Sequence, residues 1–213
     1  MKTALNNFEK NIVLVIFSFL PLSLILGSAV INLNIIIIDL YFLYHYVKSE
    51  KIKLQPNNFL LIIIAIWTYL ILNSLLQNSL NKGHFDIIDD GLIRSFFLIR
   101  YIFFLVSLNY FFNKLKEEIN KIFFIWFVII FLVIIDVIIE KLLGHNILGY
   151  ISPSEHRVVS FFKDELVVGA FLMGTAFVSL NYIKNKNYIF LIFLIIIPII
   201  IFLTGERANF IKS

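Results

Sequence analysis

The 213-residue chain contains no cysteine, which excludes disulfide bonds and thiol chemistry. Charge is also scarce, because Asp, Glu, Lys and Arg together make up 15% of the chain while hydrophobic residues make up 60%. Soluble domains contain roughly 45–50% apolar residues. This composition, with a mean hydropathy of +0.93, excludes an ordinary soluble domain. We therefore predict an integral membrane protein.

Signals for metals and cofactors are missing as well. The four histidines do not follow a metal-ligand spacing. The eight glycines form no loop of the kind that cradles phosphates. We expect no metal site, no cofactor and no nucleic-acid partner.

The apolar runs are continuous over about 18 residues, whereas a membrane β-strand alternates over about 10. We predict an all-α, polytopic helical membrane protein with about seven transmembrane helices. No repeat or flexible linker divides the sequence, so we expect one transmembrane domain over residues 1–213. The predicted spans are residues 12–29, 31–47, 59–76, 94–112, 122–143, 166–182 and 188–203.

The lysines predict the orientation. With a cytoplasmic N-terminus, ten lysines fall on the cytoplasmic side and four on the other, as the positive-inside rule expects. All four arginines fall on or near the opposite, outer side: Arg94, Arg100, Arg157 and Arg207. Because a guanidinium matches phosphate and carboxylate oxygens two at a time, this arrangement suits a lipid-linked phosphate or pyrophosphate. For Arg94 alone, contact with lipid headgroups is the simpler interpretation.

Ionisable residues inside the spans need partners. Arg100 lies six residues after Arg94, about 9 Å of helix rise into the fourth span, which favours a functional role. Asp136 and Glu140 are four residues apart and share a helix face. We expect this pair to form structural salt bridges with Arg100 or Arg157, with a catalytic base as the alternative. Asp39 lies in the middle of the second span, and the sequence names no partner for it.

Three segments in the second half follow one another in a characteristic order: DVIIEKLLGHNILGY, RVVSFFKDELVVGAFL and LTGERANFI. They resemble the O-antigen ligase/polymerase family of bacterial envelope glycan enzymes. That family shows an acid before a G-x-N/D-x-x-G turn, then an Arg-led segment with a Phe-x-Asp-Glu core, then a Gly/Ser-x-Arg element. The resemblance covers residues 94–211 and includes Arg100-Tyr101. The other matching positions are Asp136, Gly144, Asn146, Gly149, Arg157, Phe162, Asp164, Glu165, Gly169, Gly205, Glu206 and Arg207.

The resemblance implies an inner-membrane glycosyltransferase of polysaccharide or lipopolysaccharide biosynthesis, acting on the periplasmic face. Its implied partners are an undecaprenyl-diphosphate-linked glycan and membrane lipid. By analogy, the diphosphate would be held by Arg157, Arg207 and Arg100, and an acid or a histidine would help deprotonate the acceptor, with Glu165 as the candidate. Asp136, Asp164 and Glu206 would support these residues.

The sequence departs from the family at several points. Ser160 stands where the family commonly has glycine, and Glu140 stands where glutamine is frequent. The sequence stops at Ser213, where family members continue with a large outer loop and more helices. We therefore expect either the N-terminal part of a longer architecture or a truncated protein that is inactive alone. A lipid-linked glycan flippase or other transporter, and a non-catalytic membrane subunit, are the alternatives. The sequence does not distinguish a polymerase from a ligase, and it identifies neither the sugar nor the oligomeric state.

Overall fold

The structure, a computed structural model, describes residues 6–48, 58–80, 90–116, 118–154, 157–163, 166–183 and 187–205. All regular secondary structure in these residues is helical, which confirms the all-α prediction. The α-helices are α1 (Asn7–Ser18), α2 (Leu20–Ile25), α3 (Ser28–Lys48), α4 (Asn58–Leu80), α5 (Asp90–Phe97), α6 (Ile99–Lys114), α7 (Ile119–Leu143), α8 (Val168–Ile183) and α9 (Asn187–Leu203). One 3-10 turn, Ser160–Phe162, precedes α8.

Five helical stretches in the described residues are long and apolar enough to cross a membrane, which supports the prediction of a membrane protein. They are Asn7–Ile25, Ser28–Lys48, Leu60–Gln77, Gly91–Lys114 and Ile119–Leu143. The sixth and seventh predicted spans correspond to the shorter helices α8 and α9, of 16 and 17 residues. The count of seven stays a prediction.

The first helical stretch differs from the predicted span of residues 12–29 at both ends. The Asn6 side chain accepts a hydrogen bond from the Phe8 amide at 2.8 Å. Glu9 accepts one from the Asn6 amide at 3.0 Å. This capping box starts the helix before the apolar run begins. At the other end, Gly27 has φ +108°, which separates α2 from α3.

The chain divides into two compact units. One, here called the α7–α9 unit, comprises Asn6–Asn34 and Leu115–Ser213. Residues of α7, α8 and α9 form its apolar core, among them Val133, Leu172 and Ile201, all fully buried. Two contacts align α1 with α7 in the same direction. Lys10 pairs with Glu118 at 3.2 Å, and the Trp126 indole donates to the Phe17 carbonyl at 2.9 Å.

The other unit, the α4–α6 unit, comprises Ile35–Lys114 together with Met1–Leu5. The Trp67 indole on α4 donates to the Ser95 carbonyl on α5 at 2.9 Å. On α6, the Ser107 hydroxyl donates to the Asp39 carboxylate of α3 at 2.9 Å. Three residues further along both helices, the rings of Phe42 and Tyr110 lie 5.3 Å apart. These two contacts show that α3 and α6 run in the same direction, as the second and fourth of consecutive spans would.

Candidate functional site

The connection between α7 and α8 lies at one end of the α7–α9 unit. There α7 ends, residues 144–167 follow, and α8 begins. Gly144 closes α7 in the left-handed conformation, with its amide bonded to the Glu140 carbonyl. The Val158 amide donates to the Thr204 carbonyl at 3.2 Å, which attaches the segment to the end of α9. The ends of α7 and α9 and the start of α8 therefore meet beneath this segment.

Two acids of α7 hold the segment in place. Asp136 and Glu140 are 0% and 4% exposed. Asp136 accepts hydrogen bonds from the Ile147 amide at 2.8 Å and from the Ser160 hydroxyl at 2.6 Å. Glu140 accepts from the amides of Val159 at 3.1 Å and Ser160 at 2.6 Å. A buried carboxylate is stable only when its oxygens are bonded, and here both oxygens of each acid accept a donor.

These contacts correct the expected salt bridges. The carboxylates of Asp136 and Glu140 bond to backbone amides and a serine hydroxyl instead of to Arg157. The reason is geometric: the chain returns over the end of α7, which places its amides directly against this helix face. Amide donors can satisfy buried carboxylates as well as a cation can.

Asn146 completes the arrangement and explains the G-x-N-x-x-G motif. Its buried side chain donates to the Ser160 carbonyl and accepts from the Tyr150 amide at 2.7 Å. Gly144 and Gly149 on either side have φ values of +79° and +83°, which glycine adopts without strain. We call the four buried polar residues Asp136, Glu140, Asn146 and Ser160 the carboxylate cluster. The motif therefore has a local folding role.

Ser160 is the residue that sequence reasoning undervalued. Its φ is +48°, a conformation that favours glycine, and it occupies the position where the resembled family commonly has glycine. Three groups of Ser160 form hydrogen bonds within the carboxylate cluster. Its amide donates to Glu140, its hydroxyl donates to Asp136, and its carbonyl accepts from Asn146. The serine at a position where the resembled family commonly has glycine was the sequence signal for this role, because a polar side chain in a strained conformation needs a compensating contact.

Arg157 lies in the same segment, three residues before Ser160, and is half-buried. Its amide donates to the Ser154 carbonyl at 3.2 Å. One guanidinium nitrogen donates to the Leu166 carbonyl at 2.8 Å, just before α8. The structure therefore places Arg157 and the carboxylate cluster at the same end of the α7–α9 unit, without the predicted salt bridge between Arg157 and Asp136.

Arg100 belongs to the α4–α6 unit. A guanidinium nitrogen donates to the Tyr101 hydroxyl at 2.9 Å, and the guanidinium carbon lies 4.7 Å from the centre of that ring. This geometry is a cation–π contact between neighbours in sequence. Its Nε is buried and has no hydrogen-bond partner among the described residues.

The remaining predicted site residues lie outside the described residues. They are Asp164, Glu165, Glu206 and Arg207. Asp39, for which the sequence named no partner, bonds to Ser107 as described above. Within the described part of the chain, no group of three or more His, Asp or Glu residues could hold a metal ion.

No family model, curated protein or solved structure matches the chain.

Proposed function

We propose that this chain belongs to an inner-membrane glycosyltransferase that polymerises or ligates undecaprenyl-diphosphate-linked polysaccharide on the periplasmic face of a bacterial membrane. In this proposal the chain crosses the membrane about seven times with a cytoplasmic N-terminus. Residues 144–167 then lie at the outer mouth. One observation carries the proposal: a half-buried arginine, Arg157, stands on a segment that buried carboxylates fasten to the bundle end.

The hydrogen bonds that hold this segment on α7 are compatible with an anion-binding site at Arg157. Two carboxylates next to an anion site would repel the anion if they faced it. Here Asp136 and Glu140 direct their oxygens into hydrogen bonds with the segment, and both are buried beneath it. The Leu166 carbonyl further orients the Arg157 guanidinium. An oriented guanidinium loses less freedom when it binds a diphosphate, which favours binding.

The proposed reaction is a substitution at the anomeric carbon of the donor glycan. An acceptor hydroxyl attacks this carbon, and the bond from the carbon to the diphosphate oxygen breaks. The diphosphate leaves with the bonding electrons, and the hydroxyl proton passes to a base, for which we propose Glu165. Arg157, Arg207 and Arg100 would offset the charge that develops on the leaving group, the kind of electrostatic contribution that is often the largest in catalysis.

In this scheme Asp136 is a positioning residue, since it holds the segment that carries Arg157. Asp164 and Glu206 would orient Glu165 and Arg207, their neighbours in sequence.

The test uses membrane vesicles that contain the complete glycosyltransferase to which the chain is proposed to belong, together with a radiolabelled undecaprenyl-diphosphate-linked oligosaccharide. We expect Arg157→Lys and Arg207→Lys each to lower glycan transfer by about 100-fold, because lysine cannot offer two parallel donors to a phosphate. Arg94→Lys is the matched control and should retain transfer, since lysine also reaches lipid headgroups.

Membrane content and resistance to trypsin should stay unchanged in all three variants, which separates a loss of binding from a loss of folding. Full transfer by both Arg157→Lys and Arg207→Lys would refute the proposed diphosphate role and favour a non-catalytic subunit. Movement of the lipid-linked glycan across the vesicle membrane without any transfer would favour the transporter alternative.

A further inference from the structure

A groove runs along the α7–α9 unit at the end of α7 away from the carboxylate cluster. Its volume is about 390 Å³. One wall comes from α1, α2 and the residue between them, with Leu14, Phe19 and Leu22. The other wall comes from α7, with Lys121, Ile125 and Ile129. Apart from Lys121 and Ser18, the lining is apolar.

The groove has a defined direction. Lys121, Ile125 and Ile129 are four residues apart, so they follow one face of α7. From the first to the last, the helix rises about 12 Å. Lys121 lies in the first turn of α7, which begins at Ile119. Because α1 runs in the same direction as α7, the groove extends from this charged end towards the middle of both spans.

Lys121 differs from the neighbouring lysine of α1. Lys10 pairs with Glu118 at 3.2 Å. Lys121 is exposed and forms no ion pair with any residue that the structure describes. A cation at the end of a membrane helix reaches the headgroup region. The groove therefore joins apolar walls to a lysine at headgroup level that pairs with none of the acids in the described part of the chain.

We propose that this groove binds an anionic phospholipid of the surrounding bilayer, with one acyl chain between α1–α2 and α7 and the headgroup at Lys121. The apolar walls match the acyl chain, and the lysine matches the phosphate and the net negative charge of the headgroup. The helix of a second copy would fit less well, because its apolar surface would remove Lys121 from water without neutralising it. The bound lipid would pack against α1, α2 and α7.

The test measures lipid bound to the purified full chain by native mass spectrometry. The probes are phosphatidylglycerol and phosphatidylcholine with identical acyl chains. We expect preferential retention of phosphatidylglycerol. Lys121→Gln should lower its occupancy about fivefold, the factor that corresponds to about 1 kcal/mol for one lysine at an anionic surface. Lys121→Arg should retain it.

Lys116→Gln is the matched control, because Lys116 is also exposed but lies outside the groove lining. It should leave both occupancies unchanged. Ile125→Trp fills the groove and should lower the occupancy of both lipids. Equal retention of the two lipids, or equal effects of Lys121→Gln and Lys116→Gln, would overturn the proposal. So would an Ile125→Trp variant that changes the oligomeric state and leaves lipid binding intact, since the groove would then be a protein interface.

Discussion

The acids of the two units are held in different ways. In the α7–α9 unit, Asp136 and Glu140 together accept four hydrogen bonds, three of them from backbone amides of residues 147–160. In the α4–α6 unit, Asp39 accepts one from a serine hydroxyl on a neighbouring helix. The first pair of acids therefore determines the course of a connecting segment, whereas the second acid contributes to a contact between helices.

The acids of the two units also differ in how deeply they are buried. The carboxylate cluster is almost fully buried, whereas Asp39 is half-buried. Losing a hydrogen-bond partner costs more free energy of unfolding at a buried group, because neither water nor another residue can replace that partner. We therefore expect substitutions in the carboxylate cluster to have larger effects than those at the Asp39 contact.

The largest effect should come from Asp136→Ala. This change leaves the buried Ser160 hydroxyl and the Ile147 amide without their acceptor, which should cost about 2–4 kcal/mol in the free energy of unfolding. Residues 144–167 should also separate from α7. The measurements are denaturant unfolding in detergent and the rate at which trypsin cleaves after Arg157.

Asp136→Asn is the control for this prediction. Its amide oxygen can still accept from one donor, so the loss should be about half as large. Cleavage after Lys116, which lies before α7, should not change in either variant. If trypsin cleaved the Asp136→Ala variant after Arg157 no faster than it cleaves the wild type, the Asp136 carboxylate would not hold the segment that carries Arg157.

The next effect separates the hydroxyl of Ser160 from its backbone conformation. Ser160→Ala and Ser160→Gly both remove the hydrogen bond to Asp136. Glycine additionally relieves the strain at φ +48°, so Ser160→Gly should be about 1 kcal/mol more stable than Ser160→Ala. Both should be less stable than the wild type. The readout is the difference between the two unfolding midpoints.

Ser95 provides the opposite case, because it lies within the helix α5. There Ser95→Ala should be more stable than Ser95→Gly by about 1 kcal/mol, as in any helix. An identical order of stability at Ser160 and Ser95 would show that the left-handed conformation at Ser160 carries no strain.

The helices were predictable from the sequence because the bilayer sets their length and their apolar composition. The predicted spans and the observed helices agree to within a few residues at most ends. The start of α1 was missed because a capping box of polar residues, Asn6 and Glu9, extends the helix beyond its apolar run. Such a box can be recognised in a sequence, but apolar length alone does not show it.

The partners of Asp136 and Glu140 were not predictable in the same way. Three of their four donors are backbone amides, which every residue except proline carries, so no side chain marks them. Only the path of the chain over the end of α7 decides which amides reach the acids. The motif did place Asp136, Asn146 and Arg157 in one region of the chain, and in the structure they lie at one end of the α7–α9 unit.

The smallest effect should come from Ser107→Ala in the α4–α6 unit. This change removes the hydrogen bond that Asp39 accepts, and hydrogen bonds between membrane helices average about 0.6 kcal/mol. The single hydrogen of the Ser107 hydroxyl is shared with the Phe103 carbonyl of its own helix at 2.9 Å. That carbonyl already accepts a bond along the helix and loses little. The unfolding midpoint should therefore shift only slightly, and cleavage after Arg157 should stay at the wild-type rate. A shift as large as that of Asp136→Ala would mean that one bond between helices counts as much as the carboxylate cluster. The distinction between an acid that shapes a segment and an acid that joins two helices would then have no energetic basis.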